Sequence, residues 1–123
     1  MKLGQRKYAD ILVLSPAGRL DHDSCDTFSA ELKPFLDDAV AGRRIVLDLS
    51  GLEYVSSAGL RLLLLAGKQA NSQDAKLVIA AMRPLVAEIF HISRFTMLFE
   101  IHAGVREALM AASPQAAAAF DLG

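Results

Sequence analysis

The sequence predicts a single α/β domain on a mixed, mainly parallel sheet of about four or five strands, with about four helices. Two observations predict it. Short apolar runs rich in Val, Ile and Leu, at 9–14, 45–49, 76–80 and 97–101, alternate with longer stretches whose apolar residues follow helical spacing. Such alternation calls for helical crossovers between parallel strands. The 123 residues suit one domain, for which roughly 50–250 is usual. No internal repeat divides them.

Residues 9–14 read as the first strand, and Ser15-Pro16-Ala17-Gly18 reads as a turn after it. Arg19 and Leu20 then belong to a second short strand. The polar cluster Asp21, His22, Asp23 and Ser24 follows, with Asp23 or Ser24 as the cap of a helix. Phe28, Leu32, Phe35, Leu36 and Ala39 give that helix an apolar face over about 23–41, and Gly42 ends it. Pro34 lies inside it. An interior proline loses one hydrogen bond and crowds the preceding turn, so a kink or break is expected near Lys33.

Ile45 to Leu49 has the continuous apolarity of a central strand covered on both faces, with Asp48 as its exception. A short loop leads to a helix over 57–71, apolar on nearly every side between Leu60 and Ala66 and therefore expected to be heavily buried. Lys76 to Ala80 reads as another buried strand. Pro84 suits the first turn of a helix that faces inward through Leu85, Val86, Ile89 and Phe90. A last strand at 97–101 and a last helix at 104–112 complete the domain. Residues 113–123, with four alanines after Pro114, read as a flexible tail or a short packed helix. Met82, Met97 and Met110 are expected to fill the core.

Composition excludes several functions. The net charge is −1, and Lys and Arg are scattered without interleaved aromatics, so no nucleic-acid partner is expected. The densest apolar run, Leu62 to Gly67, is far short of the about 20 residues that span a bilayer, so no direct membrane insertion is expected. The basic residues 1–7 precede no apolar signal segment. Cys25 is the single cysteine, which forbids an internal disulfide and fits a reducing, cytoplasmic setting.

The chemistry concentrates at Val55-Ser56-Ser57-Ala58-Gly59, where a strand hands over to a helix. Unpaired N–H groups and the positive end of the helix dipole lie at such a junction. One serine there can cap the helix while the other carries a phosphate, whose negative charge the helix start tolerates. Asp21, His22, Asp23 and Ser24 are expected beside it, since loops at the same ends of parallel strands cluster. Their spacing resembles a fragment of a metal site, yet no second cluster supplies further ligands, so neither a metal nor another cofactor is expected. Arg61, four residues after Ser57, suits a phosphate or a partner carboxylate. Gly18, Gly51 and Gly59 serve backbone geometry or close packing. The same junction invites a nucleophile-elbow reading, but Gly-x-Ser-x-Gly lacks its first glycine, and no spacing selects His22, His91 or His102 as a base.

Three blocks resemble the STAS family, the domain named for sulfate transporters and anti-sigma-factor antagonists. They are Gly18-Arg19-Leu20-Asp21, then Leu47-Asp48-Leu49-Ser50-Gly51-Leu52 with Val55-Ser56-Ser57-Ala58-Gly59-Leu60, and Phe90-His91-Ile92-Ser93-Arg94-Phe95. The similarity runs over about 9–112, and the middle block is its most specific part. In the family's bacterial antagonists the loop reads Asp-Ser-Ser/Thr-Gly, and its first serine takes the phosphate. Aligned on Gly59, the resemblance puts that role on Ser57, with Ser56 as second choice. Ser56 then replaces the Asp, and Ala58 replaces the second hydroxyl residue.

The resemblance implies an anti-sigma-factor antagonist without catalytic activity. It would bind an anti-sigma factor with serine-kinase activity while Ser57 is free, lose it on phosphorylation, and be reset by a serine phosphatase. Asp21, His22, Asp23, Ser24, Ser56, Ser57, Ala58, Gly59 and Arg61 would form the docking face. The alternative is an adaptor subunit of a transporter or signalling complex that never takes phosphate. The remote alternative is a serine hydrolase.

Overall fold

The computed structural model describes residues 2–123. The elements run β1 (Lys2–Tyr8), β2 (Ile11–Leu20), α1 (Cys25–Asp37), β3 (Arg44–Asp48), β4 (Leu52–Val55), α2 (Ser57–Ser72), β5 (Lys76–Ala80) and α3 (Pro84–Ile92). A 3-10 turn at Phe95–Met97, β6 (Glu100–His102), α4 (Val105–Ala112) and α5 (Pro114–Asp121) complete the chain. The sheet order is β1-β2-β3-β5-β6, with β4 paired to the far end of β2. β1 and β2 form an antiparallel hairpin and every other pairing is parallel. The mixed, mainly parallel sheet is as the sequence predicts, with six strands and five α-helices among the described residues.

Alternation along the strands decides which helix covers which face. Leu14, Ile45, Leu47, Leu77 and Ile79 join the core under α1, α2 and α3, together with Phe28, Leu63, Val86 and Phe90. Ile11, Val13, Val46 and Val78 point the other way, against Ala108 and Leu109 of α4 and Ala116 and Ala117 of α5. The small residues of the second face let α4 and α5 lie close to the sheet. Tyr8 meets Phe120 edge-on at 5.4 Å between ring centroids, and Arg106 Nε donates to Asp121 Oδ1 at 2.9 Å. Residues 114–121 are therefore a packed helix.

Several expectations need correction. Residues 15–18 are no turn: β2 runs through them, and β1 precedes it where no strand is expected. β2 pairs with β3 only up to Leu14 and with β4 only from Gly18, so Pro16 falls where one flank of the strand has no partner. A missing N–H costs least there. Gly18 takes φ +101° at the register shift that redirects β2 from one neighbour to the other. α1 continues unbroken past Lys33 and Pro34 but stops at Asp37, four residues short of 41.

The short loop after β3 contains β4. Residues 97–101 hold the end of a 3-10 turn and the start of a strand displaced to 100–102. α2 is not buried on every side, because Leu60 and Leu63 face the core while Leu65 stays 53% exposed. Met97 and Met110 lie on the surface, and only Met82 packs against the core.

Candidate functional site

The site grows from the register of β2 and β4. Leu20 and Val55 are partners, so the chain leaves both strands side by side, into Asp21 on one path and Ser56 on the other. The two paths are stitched directly, since Ser56 N donates to the Leu20 carbonyl at 2.8 Å. Gly59 lets α2 sit this low. A Cβ there would come within 2.8 Å of Leu20 Cγ and 2.9 Å of both the Leu20 carbonyl and Val55 Cγ2. No side chain fits without moving backbone.

The two serines divide the work. Ser56 is the N-cap, with extended backbone at φ −86° and ψ 173°, and its hydroxyl accepts from Gly59 N at 3.1 Å. Its carbonyl accepts from Leu60 N at 2.8 Å, closing the first turn. Ser57 is the first helical residue and is exposed, as is Ala58. The first turn of α2 carries no acidic residue, so nothing at this helix start competes for its positive end. Arg61, one turn further, is exposed and forms no ion pair among the described residues.

The neighbouring loop is rigid by its own hydrogen bonds. Asp21 Oδ1 accepts from Asp23 N at 3.1 Å and Ser24 N at 3.2 Å. Ser24 occupies the N-cap position of α1, but its hydroxyl does not cap. It donates to the Arg19 carbonyl at 2.6 Å and accepts from Asp21 N at 3.0 Å. Asp23 does not cap either; it and His22 are exposed. Burial, then the negative charges of Asp21 and Asp26, push the Cys25 thiol above its ordinary value, which suppresses the thiolate.

Sequence reasoning does not find two supports of this surface. The Arg19 guanidinium lies 4.5 Å from the centroid of the Tyr54 ring and 3.8 Å from Asp21 Oδ2. Arg83 Nε donates to the Ser50 carbonyl at 2.6 Å, tying the start of α3 to the β3–β4 loop. The first depends on β4, since the pairing of Leu52–Val55 with β2 sets Tyr54 opposite Arg19.

A family model described as Mlab, STAS domain matches residues 4–100. The chain belongs to the STAS family. BtrV of Bordetella bronchiseptica, which carries the name of an anti-sigma factor antagonist, is 39% identical over 112 residues, covering 91% of this chain and 94% of BtrV. A STAS-domain containing protein of Pseudomonas aeruginosa is 38% identical over 63 residues, covering 51% of this chain and 62% of the relative.

The STAS fold itself is shared with an anti-sigma factor antagonist from Mycobacterium paratuberculosis at a TM-score of 0.80 and 19% identity, covering 90% of this chain and 92% of that one. The antagonist SpoIIAA has been solved in its unphosphorylated form, which superposes at a TM-score of 0.70 and 19% identity over 87% of this chain and 92% of SpoIIAA. This STAS domain is thus of the anti-sigma-factor-antagonist kind, a regulatory protein and not an enzyme. No helix among the described residues is long and apolar enough to cross a membrane.

Proposed function

We propose that this domain is a phosphorylation-controlled binding switch in the cytoplasm. With Ser57 free, it docks on an anti-sigma factor that is also a serine kinase, and so frees a sigma factor. The kinase transfers the γ-phosphoryl group of ATP to Ser57 Oγ, ADP leaves, and a serine phosphatase later hydrolyses the ester. One observation carries the reading: Ser57 stands exposed at the head of α2 while Ser56 alone supplies the cap. Modification of Ser57 therefore need not cost the helix its cap. SpoIIAA, a structural neighbour, also exists in a phosphorylated form.

A phosphate adds about −1.5 to −2 charges, and a helix start stabilises rather than repels them. The fold stays as it is and the docking face changes. Asp21, His22, Asp23, Ser24, Ala58 and Arg61 frame that face, and Gly59 lies buried beneath it against Leu20 and Val55. Incubation of the wild type and Ser57→Ala with the serine-kinase-type anti-sigma factors of the source organism and Mg-ATP tests it by mass spectrometry. Phosphate on residue 57 of the wild type alone is expected.

A second reading rests on Ser56, which stands where the resemblance puts an Asp. In that reading the domain is an unphosphorylated adaptor in a transporter or signalling complex. Tight binding to such a partner, with residue 57 never modified, would decide for it.

A further inference from the structure

On the outer side of α2, Ser57, Arg61, Leu65 and Lys68 are exposed at spacings of three or four residues, with exposed Ala58 beside Ser57, so they form one ridge. The 16 residues of α2 include no Asp or Glu. Among the described residues neither Arg61 nor Lys68 is paired. The ridge thus holds two uncompensated positive charges in a chain whose net charge is −1.

Beside the ridge runs a groove between α1 and α2, with a cavity volume of about 190 Å³, walled by Leu32, Leu36, Leu62, Leu65 and Ala66. Gln69 Nε2 donates to Asp37 Oδ1 at 2.9 Å and Lys33 Nζ to Asp37 Oδ2 at 2.7 Å, closing one end. Towards the other end, Ala58 lies one turn before Leu62 on the same side of α2, so the groove points along the helix towards the turn that carries Ser57 and Arg61.

We propose that the anti-sigma factor docks here through an acidic amphipathic segment. An aliphatic side chain fills the α1–α2 groove and a carboxylate pairs with Arg61. This rests on the phospho-switch reading and names the partner chemistry that reading needs. The argument is one of sign. A phosphate at Ser57, about −1.5 to −2 charges, cancels the two cations of the ridge and engages Arg61 at i,i+4. It therefore repels a carboxylate, whereas it would hold a basic segment more tightly. Phosphorylation releases the partner only if the group over the ridge is acidic. The acidic side chains of this end, Asp21, Asp23 and Asp26, belong to the α1 side, so the carboxylate faces α2.

The test needs no kinase. A helical peptide with Glu and Leu at i,i+4 spacing, and its counterpart with Lys for each Glu, are titrated into nitrogen-15-labelled protein. The acidic peptide is expected to shift amides in 29–36 and 57–69 saturably, and to bind about ten-fold or more tighter than the Lys peptide. Arg61→Glu or phosphoserine installed at position 57 abolishes that preference, and Leu65→Glu removes binding, with melting temperatures unchanged. Equal binding of the two peptides, preference for the Lys peptide, or shifts outside the groove overturns the proposal. The outcomes separate it from the switch: phosphate transfer to Ser57 without peptide discrimination sinks the acidic segment alone. Discrimination without transfer sinks the switch and leaves a docking groove for an unmodified partner.

Discussion

The two ends of the parallel sheet are built on opposite plans. At the carboxyl ends of β2 and β4, polar groups are tied to backbone and one hydroxyl is left open. Ser56 binds Gly59 N, Ser24 binds the Arg19 carbonyl, and Ser57 faces solvent. At the amino ends of β3, β5 and β6, charges are tied to each other. Arg44 Nη1 donates to Glu100 Oε1 and Oε2 at 3.1 and 2.8 Å, Lys76 Nζ lies 3.2 Å from Oε1, and His102 Nε2 is 2.8 Å from Oε2. The first end can lose or modify a side chain and stay folded. The second pins the three-residue edge strand β6 across two neighbours and has no side chain to spare.

The largest effect tests whether the open end rests on a tight foundation. Gly59→Val pushes a branched side chain into the Leu20 carbonyl and Val55, and is expected to cost about 3 kcal/mol, at the upper end for overpacking. Urea unfolding measures it, and a near-neutral result would mean that α2 is free to lift away from β2.

Next comes the closed end. Burial opposes ionisation of Glu100, but hydrogen bonds from His102 and Lys76 and the charges of Arg44 and Lys76 outweigh it, so its carboxyl lies below the ordinary value. A depressed carboxyl stabilises the fold fully above the ordinary glutamate value of 4.5, and the contribution is lost as pH falls through the lower folded value. Glu100→Gln should cost about 1–2 kcal/mol at neutral pH and flatten this acid limb of the stability curve. An unchanged acid limb would show that the cluster is not the pin.

What the sequence made legible follows the same division. β3, β5 and α2 are readable because their apolar residues alone define them: Ile45, Val46 and Leu47 are buried on both faces, and α2 is a long run of helix formers. β1 is not, because an edge strand of Lys, Gln and Arg satisfies its backbone from β2 without burying much. Pro16 hid β2 because its tolerance depends on where β3 pairing stops, a fact of topology rather than of local preference. Of the candidate site, the grouping of Ser56, Ser57 and Arg61 is legible because they are close in sequence. Arg19 against Tyr54 and the α1–α2 groove were not, because each needs two elements that only the fold brings together.

The smallest effects are the sharpest for the comparison, because they separate two adjacent serines. Ser56→Ala leaves Gly59 N without its acceptor and should cost about 1 kcal/mol, the usual worth of an N-cap. Ser57→Ala removes an exposed hydroxyl and should stay within about 0.5 kcal/mol, with a small gain from alanine's helix propensity. Matched urea unfolding curves of the two variants give the difference directly. If Ser57→Ala were the costlier one, its hydroxyl would be holding the helix start, a phosphate there would break structure instead of changing a surface, and the switch would have to act by unfolding α2.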